Sequence, residues 1–333
     1  MGNAETTWID RMIAPQSQPR PGSDDEAWPS SRAGGATTGS TARALGVDSP
    51  VSRWLSAAAL LACTVAAPAA AQDAPDPSAL PPAARSEYDR VLEDEFCGCG
   101  SPHSLGQCLK THGDCRHSRR LAQIASIEAA RGVTGAEIGV ELARYDQGFR
   151  DPRTTFKVDE RQCRGKGPVT LVEFSDFECP HCALLRPALE KFASDNASRV
   201  KLCWMSFPLT HFPNSMPAAQ AALLARDKGK LWPVHDAIFE NQRRLSADVI
   251  QEILVKAGIS AAEWKKALAD KTYVEQVENQ RAAGVAAGVN ATPTLFVNGR
   301  KLDLAPAPEI LSITVDDELD WQKTRGTWTT ANR

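Results

Sequence analysis

The hydrophobic rhythm of the chain changes near Gly167. From Ser86 to Arg150, apolar residues recur at helical spacing, as in LAQIASIEAA (Leu121 to Ala130). Gly132 and Gly135 interrupt the pattern. Thr134 with Glu137 three residues on has the spacing of a capping box. The helix it opens can place Ile138, Val140, Leu142 and Tyr145 on its apolar side and ends at Gly148. This predicts a small helical hairpin with a cysteine-rich head over 86–150. The Pro/Ala-rich stretch 72–85 before it reads as an extended linker, and the polar stretch 151–166 after it as a second. Then VTLVEF (Val169 to Phe174) is β-branched and nearly all apolar, as a strand covered on both faces should be. ALLRPALEKFAS follows at helical spacing, and VKLCWMSFPL (Val200 to Leu209) is a second strand. Two strands flanking a helix predict a right-handed crossover with parallel strands. A long helical region runs from Pro217 to about Gly288. It leads to the strand TLFV, the tight-hairpin dipeptide Asn298-Gly299, an antiparallel return in RKLDL, and a last helix after Pro308. The second domain is therefore placed at 167–325.

The first 71 residues read differently. Residues 1–50 are rich in Gly, Ser, Thr, Pro and Arg and show no period. They are expected to be a disordered extension, or to precede a true start near Val47 or Val51. VSRWLSAAALLACTVAAPAAA (Val51 to Ala71) has Arg53, an apolar run from Leu55 to Ala67, and small residues at Ala69 to Ala71. That is the order of parts in a secretory signal peptide, with cleavage near Ala71. The run is short for a membrane span and Pro68 interrupts it. Leu60-Leu61-Ala62-Cys63 offers lipid attachment at Cys63 as the alternative. Either route places the mature chain in the periplasm or outside the cell.

Composition narrows the function classes. In 333 residues the formal net charge is −3, and no dense Lys/Arg block occurs. That leaves no electrostatic case for nucleic acid or an anionic membrane surface as partner. Nine cysteines are too few for a disulfide scaffold of this length, and they fall in clusters.

The cluster in FSDFECPHC (Phe174 to Cys182) carries the sharpest chemistry. Zinc binding wants four ligands, and no second knuckle lies nearby in this domain. Cys179 instead falls just past a buried strand and at the start of a helix. There the helical N–H groups and the macrodipole favour a thiolate, the nucleophile and better leaving group of disulfide exchange. Pro180 suits an early helical position, and His181 can stabilise the same thiolate. This placement favours redox catalysis over a structural staple or a metal site, with no cofactor beyond the Cys179–Cys182 disulfide.

FSDFECPHC, the helical insertion and ATPTLFVNG together resemble the DsbA family of bacterial thiol-disulfide oxidoreductases, over roughly Gly167 to Leu304. The resemblance implies an α/β thioredoxin fold with a helical insertion, here preceded by a small all-α Cys-rich segment. It implies that Cys179 is an exposed nucleophile and Cys182 a buried resolving thiol. Thr292-Pro293 would be the cis-proline step beside the disulfide, with the Thr292 backbone open to an extended substrate. Glu173 would be a buried carboxylate beneath the disulfide, able to shuttle a proton for Cys182; a strand residue facing solvent is the bland reading. His235 reads as a structural or surface histidine rather than a catalytic one. Phe174, Phe177 and Leu184 either form a client surface or belong to the core. The activity implied is disulfide formation in unfolded or thiol-containing exported proteins, with a membrane quinone-linked oxidase or a reductase as electron partner. Thr before the proline, where DsbA has Val, leaves isomerase or reductase direction open. A non-catalytic client-binding module for cytochrome maturation is the alternative of a different class.

The remaining cysteines divide in two. Parity favours a Cys163–Cys203 staple, with Cys203 as a small buried hydrophobe the alternative. Cys97, Cys99, Cys108 and Cys115 allow three pairings, a metal site with nearby His103, His112 or His117, or a second redox pair. CGCGSPHSLGQC weakly resembles the CcmH-type helical domain, but with one residue between its first cysteines instead of two. The redox function of that family therefore does not transfer, while its helical hairpin can.

Overall fold

The computed structural model describes residues 76–324 and 326–328. The expected extension, signal peptide, Cys63 and start of the 72–85 linker lie outside the described residues. The rest of that linker is not extended throughout: helix α1 (Pro82–Asp94) begins four residues earlier than the periodicity placed it. Pro82 sits at its first position, where a missing N–H costs no helical bond.

The N-terminal segment is a four-helix unit rather than a hairpin. α1 packs against α2 (Leu105–Thr111), α3 (Arg116–Ala130) and α4 (Gly135–Gln147). Thr134 and Glu137 form the capping box that opens α4. Ile138, Leu142 and Tyr145 are buried, but Val140 points to solvent, half exposed. Two disulfides, Cys97–Cys108 and Cys99–Cys115, close the head.

A five-stranded sheet of order β1-β3-β2-β4-β5 forms the second part. β2 (Val169–Ser175) and β3 (Val200–Ser206) are parallel and joined through α5 (Pro180–Asp195). β4 (Thr294–Val297) and β5 (Arg300–Lys301) complete one edge antiparallel. The expected 151–166 linker contains the other edge, β1 (Cys163–Gly165), which pairs antiparallel with β3. Its register sets Cys163 opposite Cys203, and the two form a disulfide. At the hairpin, Asn298 and Gly299 both take positive φ, which an Asn-Gly pair tolerates. The insertion between β3 and β4 is five helices: α6 (Ser215–Asp227), α7 (Leu231–Glu240), α8 (Ala247–Lys256), α9 (Ala261–Ala269) and α10 (Val274–Ala286). α11 (Pro308–Lys323) closes the chain. Among the described residues, no helix is long and apolar enough to cross a membrane.

β2 alternates between two packed faces. Val169 and Leu171 join Leu185 and Leu189 of α5 and residues of α11 in one core. Val172 and Phe174 pack on the other face with Met205, Phe207 and Phe296. Each fully buried aliphatic side chain of this kind contributes about 1.5–3 kcal/mol. Gly167 lies where a Cβ would overlap the backbone of Arg199 and Val200. Gly167→Ala is therefore expected to cost about 1–3 kcal/mol, read as a lower urea midpoint.

The head is joined to α11 by a buried ionic network. Asp317 is fully buried and accepts hydrogen bonds from His117 Nδ1 (3.0 Å), Tyr145 Oη (2.9 Å) and Arg120 Nη1 (2.9 Å). The second His117 nitrogen faces Asp146 at 3.1 Å, so both ring nitrogens meet carboxylates. Burial disfavours the imidazolium, but Asp317 and Asp146 outweigh it and hold the His117 pKa above its ordinary value. The Trp328 indole stacks on that ring, with centroids 3.8 Å apart.

Candidate active site

The parallel crossover brings the end of β2 to the start of α5, and the chain turns there on Asp176. Asp176 accepts hydrogen bonds from the backbone N–H of Glu178 (2.7 Å) and Leu209 (2.6 Å) and from Ser215 Oγ (2.5 Å). This anchors the turn to the insertion. Cys179 is then the N-cap of α5 and Pro180 its first residue. Cys182 follows one turn later, fully buried. Both cysteines are thiols in this structure.

From more than a hundred residues downstream, the Thr292–Pro293 step reaches the same point, and its peptide bond is cis. The Cys179 thiol donates to the Thr292 carbonyl at 3.2 Å. The hydrogen bond with Cys182 first, and behind it the backbone N–H groups of Cys182 and His181, draw the Cys179 pKa down from 9.0 to about 6, although burial opposes them. Cys182 shows the reverse. Burial first, then its hydrogen bond to Cys179 and the nearby negative charges, push its thiol far up. The pair is thus polarised: one sulfur is ready to carry charge, and the other holds its proton.

Glu173 lies on the β2 face that α5 covers, in register with Trp204 and Leu295. It is buried, not solvent-facing. Burial, with Glu190 and Cys179 adding to it, pushes its pKa up to about 8. Arg164 and Arg186 pull the other way and are themselves tied to Glu190, at 2.9 Å and 3.2 Å. Glu190, His235 and Asp236 stand close enough to share a cation. The two guanidiniums already neutralise that cluster, so it does not fit a metal. His235 is buried among Phe177, Trp204 and Phe239, with Nδ1 on Asp236 at 2.8 Å, away from the sulfurs' hydrogen bonds.

One expectation fails: Cys179 is not an exposed residue, with only 4% of its surface accessible. The cause is the insertion. Gln242, just after α7, donates its amide to the carbonyls of Phe177 (2.8 Å) and Cys179 (2.9 Å), pressing the loop into the insertion core. The Thr292 carbonyl covers another side. Of the three apolar candidates, Phe174 and Phe177 are core, while Leu184 is half exposed beside the motif. Sequence reasoning missed Asp176 and Gln242. The Asp three residues before Cys179 was a readable turn signal. Gln242 left none, because it reaches the site only through the folding of the insertion.

Comparisons with known proteins fall on this half of the chain. A family model described as Thioredoxin matches residues 163–317. The Na(+)/H(+) antiporter NhaA 3 of Salinispora tropica is 31% identical over 186 residues, 55% of this chain and 27% of that protein. The chain thus spans about a quarter of the length of the antiporter relatives it matches. The probable disulfide bond formation protein D of Bacillus cereus is 28% identical over 180 residues, 49% of this chain and 81% of that one. Among solved structures, oxidised BdbD from Bacillus subtilis is similar at 23% identity and a TM-score of 0.46, covering 51% of this chain and all of that one.

Proposed function

We propose that this member of the DsbA-like, thioredoxin-fold family, to which the chain belongs through residues 163–317, forms disulfides in exported proteins through Cys179 and Cys182. The observation that carries the reading is the polarised pair: Cys179 at about 6 on a helix N-terminus, with Cys182 far above its ordinary value beside it. In the oxidised protein a substrate thiolate attacks the Cys179 sulfur and Cys182 leaves. The substrate's second thiol attacks the mixed disulfide, and Cys179 departs as a thiolate. Stabilising that thiolate stabilises the reduced enzyme, which makes its disulfide an oxidant. The difference between 9.0 and about 6 corresponds to ~4 kcal/mol of preference for the anion. This favours oxidation over the isomerase and reductase directions. The Thr292 carbonyl beside the sulfur and the exposed Leu184 offer a place for an extended, partly apolar client segment. A periplasmic or extracellular setting and a membrane quinone-linked oxidase as electron acceptor complete the proposal, supported by the signal-like Val51 to Ala71 segment.

Oxidised protein mixed with a reduced dithiol peptide tests it. The expected result is stoichiometric peptide oxidation, while Cys182→Ala, offered the same peptide in its disulfide form, should accumulate a Cys179-linked mixed disulfide. An oxidised chain that leaves the peptide reduced would overturn the proposal.

Glu173 takes the proton when Cys182 must become a nucleophile and returns it when Cys182 leaves. Glu173→Gln should slow the exchange steps by about 100-fold or more. It should also stabilise the fold. A carboxyl raised to about 8 stays protonated when folded while the unfolded chain ionises near 4.5. The wild type therefore loses stability as pH climbs from 4.5 to 8, and the amide does not. Denaturant midpoints for the two proteins should diverge over that window, with Glu173→Gln higher. Parallel curves would remove Glu173 from this role.

A further inference from the structure

The four head cysteines stand outside the chemistry of Cys179 and Cys182, yet their sulfurs are gathered more closely than two independent staples require. The sulfurs of Cys97, Cys108 and Cys115 all lie within 4.8 Å of one another and are buried. Cys99, bonded to Cys115, is the partly exposed member. Ser118 projects its hydroxyl into the group, 3.0 Å from the Cys115 sulfur, 3.2 Å from that of Cys108 and 3.7 Å from that of Cys97. The Gly98 N–H donates to the same hydroxyl at 3.0 Å. Cys115 is the N-cap of the 15-residue helix α3, the position Cys179 holds on α5. The backbone between Cys97 and Cys99 lies against the His117 ring, so closely that a Cβ at Gly98 would overlap it.

We propose that Cys99–Cys115 is a second redox-active disulfide, entered at Cys99, that exchanges with the Cys97–Cys108 disulfide behind it. The substrate is a protein dithiol. Its thiolate attacks the Cys99 sulfur, forms a mixed disulfide and breaks the bond to Cys115, which leaves as a thiolate. The α3 N-terminus and the Ser118 hydroxyl stabilise that leaving group, and a better-stabilised thiolate leaves faster. The substrate's second thiolate then attacks the mixed disulfide and releases Cys99. The substrate has lost two electrons and two protons, and Cys99 and Cys115 have gained them. The Cys115 sulfur lies within 4.8 Å of both inner sulfurs, so it can next attack the Cys97–Cys108 bond and draw the inner disulfide into exchange. The inner pair is buried and is reached only by that route.

The test uses the full chain carrying Cys179→Ser and Cys182→Ser, so that it stands or falls apart from the main site. Folded protein is equilibrated in glutathione buffers of rising reduced fraction, acid-quenched, alkylated and mapped by mass spectrometry. Cys99 and Cys115 should be alkylated first, with Cys97 and Cys108 following only when Cys115 is present. In Cys115→Ser treated with oxidised glutathione, Cys99 should carry the adduct, whereas Cys115 in Cys99→Ser should carry little. Ser118→Ala should lower the rate of reduction about tenfold, the worth of one hydrogen bond to a charged group. Four cysteines that stay oxidised until denaturant is added, or that are alkylated together only on unfolding, would overturn the proposal.

Discussion

Cys179→Ser is expected to lower the rate of dithiol oxidation by at least about a thousandfold, because nucleophile and resolving thiol act as one unit and removal of either stops turnover. Cys182→Ala should be equally inactive in turnover yet still form a mixed disulfide with a substrate disulfide, since the Cys179 thiolate remains to attack it and release the substrate's other thiolate. The split between the variants follows from their environments. The Cys179 sulfur meets hydrogen-bond partners on several sides, and Cys182 is enclosed and proton-bearing. Burial of Cys179 does not conflict with its role. Beside the apolar residues of the insertion, its sulfur meets the Thr292 carbonyl, a polar contact a substrate backbone can replace. Insulin reduction and peptide oxidation assays read both variants. Substantial turnover by Cys179→Ser would move the chemistry elsewhere in the chain.

The second large effect lies at the junction of the two parts. Asp317→Ala should destabilise the protein by about 3–5 kcal/mol, the cost of removing one partner from a buried ionic cluster. Three donors lose their acceptor at once, and His117 keeps a buried ring nitrogen without its carboxylate. The loss should depend on pH. The His117 pKa is raised in the folded state, so its contribution is fully present below about 6.5 and fades as pH rises through the raised value. The gap between wild type and Asp317→Ala should therefore narrow at alkaline pH. Asp316→Ala is the control: its pairing with Arg199 is partly exposed and should be worth no more than about 1 kcal/mol. Equilibrium urea denaturation gives all three values.

How far these features could be read from the chain depends on the distance over which each is encoded. β2, the crossover helix and β3 were legible because a strand buried on both faces and a helix-period run leave unmistakable local patterns, and the structure has them there. The Asn298-Gly299 turn was legible for the same reason. β1 was not: three residues with Arg and Gly carry no strand pattern, and only the pairing of Cys163 with Cys203 hinted that this polar stretch lies beside β3. Val140 matched the helical period but faces solvent, because α4 is covered over a narrower arc than the period allowed. The head's pairing was closed to sequence, since four cysteines permit three connectivities and only the packing of α1 to α3 selects one. In the site, Cys179, Cys182 and Pro293 could be named from motif spacing. The cover over Cys179 could not, because Gln242 arrives from an insertion whose helices carry core patterns but no signal of where they dock. The His117–Asp317 contact spans 200 positions and was likewise beyond local pattern.

Everything proposed for the CPHC centre depends on the charge state of one sulfur. In Cys182→Ala, the thiolate of Cys179 can be titrated by its ultraviolet absorbance or by the pH dependence of alkylation. Loss of the Cys182 hydrogen bond raises the value somewhat, so the wild-type reduced protein is measured beside it. A wild-type midpoint near 6, with Cys182 silent throughout the neutral range, is the expected result. A midpoint near 9, that of an ordinary cysteine, would contradict the account.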